Sequence, residues 1–144
     1  MAELTPLRNF SIEKVRNHLK DSATDLADAR VTAISLKRRF DAAYDAAFNC
    51  ALALLEANKQ EVKPAPGHHR VTFDFLISTL KLRGETAEFV PLVIRTRNAQ
   101  RYDAAGTVTD NMLAAAIAWA ERLRAETETW FTAHNPQALK PPGR

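Results

Sequence analysis

Between Ile34 and Asn58 the chain reads ISLKRRFDAAYDAAFNCALALLEAN, a run without glycine or proline. Its large apolar side chains, Phe40, Tyr44, Phe48, Leu52 and Leu55, recur every three or four residues, which aligns them on one helical face. Between them lie Ala42, Ala43, Ala46, Ala47, Ala51 and Ala53. Alanine favours helix and adds little bulk, so neighbouring helices can approach on more than one side. Asp41, Asp45 and Asn49 are too few to make the broad polar face of a surface helix. The stretch therefore predicts the central helix of an all-α bundle.

The rest of the chain is consistent with a single domain of 144 residues, a size that buries roughly two thirds of the unfolded chain's surface without a covalent staple. The one cysteine, Cys50, lies among alanines and Leu52 and reads as a small buried apolar residue, not a nucleophile. The opening residues lack the apolar core of a signal peptide, and no segment approaches the roughly 18 consecutive apolar residues of a membrane span. A soluble, cytoplasmic protein is the expectation. The net charge of +3, from 20 basic and 17 acidic residues, is too mild to signal nucleic-acid binding. Its distribution is more informative: Lys37, Arg38 and Arg39 form one cluster, and Arg95, Arg97 and Arg101 another.

Taken in order, residues 1–10 read as a flexible lead-in, 11–132 as one helical domain and 133–144, with three prolines and a glycine, as a disordered tail. A short helix is predicted from a Ser11 cap to about Lys20, with Asp21 and Ser22 offering a second cap for a helix from Ala23 and a break near Val31 to Ile34. KQEVKPAPG then ends the long helix. His68 to Leu82 should form another helix, although VTFDFLI alternates like a strand. Glu85 to Asp103 reads as the next, with Pro91 best suited to a first turn. The last helix opens at Thr107 or Thr109 and runs to about Thr132.

Catalytic signatures are absent: there is no phosphate-cradling glycine loop, cysteine pair, His-Glu-x-x-His or Gly-x-Ser-x-Gly. His68 and His69 are neighbours and would point about 100° apart on a helix, which does not suit a shared metal. They read as residues that start a helix after Pro66-Gly67, one of them capping it or packing on the long helix. No metal or cofactor is expected. The more pointed group is Arg95, Arg97, Asn98, Arg101 and Tyr102. Arg97 and Arg101 share a helical face, and Asn98 and Arg101 lie three apart, so one edge presents guanidiniums and an amide that match phosphate oxygens. Pairing of these arginines with acidic residues on neighbouring helices would account for the same pattern.

Three segments carry a resemblance to the HEPN superfamily, in particular its small stand-alone members related to HEPN toxins and to the partners of minimal nucleotidyltransferases. RRFDAAYDAAFNCALALLEAN resembles the family's aromatic and alanine-rich helix, GHHRVTFDFL its Gly-His-x-x-Val-x-x-x-Phe segment, and RNAQRYDAAG the segment before its last long helix. Together they span about residues 34 to 132. The resemblance implies an up-and-down bundle of four to five helices, a homodimer, and an RNA- or nucleotide-related role in a toxin-antitoxin or defence setting. Catalytic members are metal-independent ribonucleases that use an arginine followed four to six residues later by histidine. Here no histidine follows Arg95, Arg97 or Arg101.

The leading expectation is thus a degenerate, non-catalytic HEPN-like dimer that binds RNA, a nucleotide or a cognate protein through Arg95, Arg97, Asn98, Arg101 and Tyr102, joined by Lys37 and Arg38. The alternatives are a metal-independent ribonuclease toxin whose chemistry runs through Arg97, Arg101 and Tyr102 with a histidine from the other segment, and an interaction module for a nucleotidyltransferase or antitoxin partner.

Overall fold

The computed structural model describes residues 2–7, 9–102 and 108–143. They form an all-α helical bundle: α1 (Ile12–Ala29), α2 (Leu36–Ala57), α3 (His68–Thr79), α4 (Glu85–Tyr102) and α5 (Asp110–His134). Among the described residues no helix is long and apolar enough to cross a membrane.

The long helix is the centre of the bundle, as its composition predicts. Ala43, Ala46, Ala47, Ala51 and Ala53 of α2 are fully buried, together with Tyr44, Phe40 and Leu54. The missing bulk lets α1 lie close enough for the Ser22 hydroxyl to donate to the Ala46 carbonyl at 2.6 Å, with Cys50 Sγ 3.3 Å away. That contact explains why α1 is one helix where two are expected. Ser22 would otherwise cap a new helix, but here it is wholly buried in the α1–α2 interface. The one break before α2 falls where it is expected, at residues 30–35, and Ser35 caps α2 through the Arg38 amide.

On the other side of α2 an aromatic cluster joins three further helices. Phe73 of α3 meets Tyr44 edge-on at 5.2 Å between ring centres, Phe48 at 5.5 Å and Trp119 of α5 at 5.6 Å. Trp119 in turn meets Phe89 of α4 and donates its indole N–H to the Thr86 carbonyl at 3.0 Å. VTFDFLI is therefore helical despite its alternation, since Thr72, Phe73 and Leu76 provide the buried side of α3.

Other boundaries need correction. The lead-in is not free: Leu4–Pro6 (β1) pairs antiparallel with Gln60–Val62 (β2), a two-stranded sheet that sequence reasoning did not anticipate. The Glu56 carboxylate also accepts the Ser11 amide at 2.8 Å. Pro91 lies well inside α4, not in its first turn, and is tolerated on the solvent side. The tail, for which disorder is predicted, instead folds back on α1. Pro136–Leu139 form a 3-10 helix with Ala138 buried, Arg16 donates twice to the Gln137 carbonyl, and the Glu13 carboxylate accepts the Gly143 amide.

Because Phe73 links α2, α3 and α5 with no exposed surface, Phe73→Ala is expected to destabilise the fold by about 3–5 kcal/mol. Urea unfolding followed by circular dichroism measures this, and a loss below about 1 kcal/mol would contradict the central position given to the aromatic cluster.

Candidate anion-binding site at the start of α3

Gly67, with φ of +83°, turns the chain out of PAPG and into α3. No side chain caps the helix that follows, and the first-turn partners present are the Ala65 carbonyl, which accepts the His68 amide at 3.0 Å, and the His68 ring, whose Nδ1 lies 3.0 Å from the same carbonyl. One residue on, His69 packs between α2 side chains. Its ring stacks on Tyr44 and lies 4.5 Å from Phe48, and its Nδ1 is hydrogen-bonded to the Tyr44 hydroxyl at 2.5 Å. Both histidines thus begin the helix as predicted, and His69 is the one that packs on the long helix.

Arg97 of α4 completes the junction. Its guanidinium carbon sits 4.6 Å from the centre of the Tyr44 ring, a cation over an aromatic face. Tyr44 is only 1% exposed and so ties α3 and α4 together, the hydroxyl to His69 and the ring to Arg97. His69 and Arg97, the two side chains that Tyr44 holds, border a cavity of about 410 Å³ lined by Gly67, His68, His69, Arg70, Arg97 and Asn98, among others. Its walls offer two imidazoles, two guanidiniums and an amide, a donor-rich set at the positive end of a helix dipole. Among the described residues no cluster of three or more His, Cys, Asp or Glu side chains is placed to hold a metal ion.

Asp45, on α2 next to Tyr44, tempers this charge. Burial pushes its carboxyl above the usual aspartate range, Arg97 pulls the other way, and Asp25 and Asp41 raise it further. Asp41 also accepts from the Gln100 amide at 3.4 Å.

The predicted site residues divide. Arg97 and Asn98 line the cavity, and Arg95 lies on a neighbouring trough with Arg70, Pro91, Ile94, Asn98 and Ala99. Arg101 and Tyr102 end α4, and their side chains lie outside the described residues. Lys37 and Arg38 do not line the cavity. They are exposed in the first turn of α2, and Arg39 donates to the Ala29 carbonyl. Sequence reasoning missed Tyr44, Arg70 and Ile94. For Tyr44 a signal was present: a tyrosine on a core stripe needs a partner for its hydroxyl. No protein-family model matches the chain, and no curated protein or solved structure matches it significantly.

The Asp45 carboxyl keeps its proton to higher pH in the fold than in the unfolded chain, so the folded state binds more protons across that window and stability falls as pH rises through it. Asp45→Asn is accordingly expected to stabilise the protein at neutral pH, with the gain shrinking as pH falls through the raised range of the folded carboxyl and gone below about 4, where the unfolded carboxyl is also protonated. Urea midpoints at the two pH values measure this; an equal effect at both would contradict it.

Proposed function

We propose that the chain is a HEPN-like binding protein whose ligand carries a phosphate, RNA or a nucleotide, and that it acts without catalysis of its own. The observation supporting this reading is the cavity at the start of α3, where Arg97, Asn98, His68 and His69 gather donors from two helices around an uncapped helix N-terminus. Guanidinium and imidazole donors match phosphate oxygens, and a helix N-terminus adds its own positive field. The net charge is not what draws the anion, since the favourable groups are local.

A second reading, a metal-independent ribonuclease, gains from one observation. The sequence argument against it was that no histidine follows the arginines of α4. The Tyr44 contact brings His69 from α3 to the Arg97 side of the bundle, so an imidazole able to act as general acid or base stands beside the guanidinium by another route.

Arg97→Ala is expected to weaken binding of a fluorescent single-stranded RNA by about tenfold and to lessen the slope of log affinity against log salt. Arg38→Ala, away from the cavity, should leave both nearly unchanged. Equal losses for the two variants would contradict the site. RNA cleavage by the purified protein without added metal, abolished in Arg97→Ala and in His69→Ala, would replace the binding reading with the ribonuclease one.

A further inference from the structure

We propose that the cavity at the start of α3 is one half of a two-part site, and that the trough beside it on α4 receives a planar apolar ring attached to the same phosphate ester. The inference rests on the phosphate reading above and supplies the other half of the ligand.

The two depressions share Arg70, Ile94 and Asn98, so they form one continuous surface across α4. Their chemistry differs. The α3 end is built of donors, whereas the trough, about 480 Å³, has Pro91, Ile94 and Ala99 as an apolar floor. Around the wheel of α4 the order is Arg97, Ile94, Asn98, Pro91, Arg95, Ala99, which puts Arg97 at the cavity end and Pro91 and Ala99, which line the trough alone, toward the other. Ile94 and Asn98 are one turn apart, about 6 Å along the axis, a distance that a pentose between a phosphate and a ring can bridge.

Two features favour a flat ring over an alkyl chain. Arg95 makes no ion pair with any described residue, and Arg70 pairs only with the exposed Asp74, at 3.0 Å, a contact of little energetic weight. Both guanidiniums line the trough beside these apolar side chains, where each can lie flat on a π-face. A ring also needs only a shallow, open trough, because it buries one face and leaves the other to solvent. The ligand class is therefore a nucleoside phosphate, either free or as one unit of a single strand whose bases are unstacked. A duplex does not fit, since its ring faces are already stacked on one another.

Calorimetric titration in two arms tests this, each arm comparing a ligand with its ringless counterpart: a nucleoside 5′-monophosphate against ribose 5-phosphate, and a short single-stranded oligonucleotide against an abasic strand of equal length. The ring should tighten binding by about tenfold in at least one arm, and the arm showing it identifies the free or the polymeric source. Ala99→Gln, at a floor position that does not line the phosphate cavity, checked for its fold by circular dichroism, should remove the ring's advantage and leave the ringless ligand's affinity unchanged. Pro91→Gln, an exposed and neutral change on the same floor and outside the cavity, serves the same purpose if the first variant does not fold. Equal affinities with and without the ring in both arms overturn the two-part site while leaving the phosphate reading in place. Retention of the ring's advantage in a folded floor variant overturns it as well, because the ring then lies elsewhere. Absence of binding by every phosphate ligand overturns both inferences.

Discussion

A buried tyrosine must find a partner for its hydroxyl, and in this bundle that requirement decides where three helices meet. Tyr44 lies on the central helix with 1% of its surface exposed, its ring edge against Phe73 and its face beneath Arg97. The hydroxyl reaches His69 across the α2–α3 interface. Leaving that group unsatisfied would cost about 1–3 kcal/mol, so the contact sets both the rotation of α3 and the position of its first turn. Arg97 follows from the same arrangement, because the tyrosine's face is the surface that α4 presents its guanidinium to. The cavity is thus a consequence of how a polar end is accommodated on an otherwise apolar stripe.

Charge at the site is local and partly offset. Asp45, half-buried beside Tyr44, holds its proton more tightly than an exposed aspartate because burial penalises the carboxylate, and Arg97 only reduces that penalty. The first-turn cations of α2, Lys37 and Arg38, line neither the cavity nor the trough beside it. At the α3 end His69 and Arg97 are partly buried and packed on Tyr44, whereas Lys37 and Arg38 are exposed, where salt screens their charge.

The bundle was largely legible in the sequence because its central helix announces itself: the expected span Ile34 to Asn58 becomes Leu36–Ala57, and the alanines lie where close packing needs them. What was not legible depended on partners distant in the chain. Ser22 reads as a cap until α2 supplies the Ala46 carbonyl. The proline-containing tail reads as disorder until Arg16 and Glu13 bind its backbone. At the site, Arg97 and Asn98 were visible as a donor-bearing edge, whereas the junction of His69, Tyr44 and Arg97 joins three helices and leaves no local periodicity. Tyr44 was counted among the apolar residues for the same reason: spacing reports the face of a helix and is blind to the polar end of a side chain.

The chain's four histidines allow the cavity to be tested directly, since His68 and His69 line it and His18 and His134 do not. In a nuclear magnetic resonance titration of the ¹⁵N-labelled protein with a nucleoside 5′-monophosphate, the ring nitrogens of His68 and His69 and the Nε of Arg97 should shift along one saturation curve while those of His18 and His134 stay in place. Shifts confined to His18 or His134, or none at Arg97, would contradict an anion site built on the Tyr44 junction.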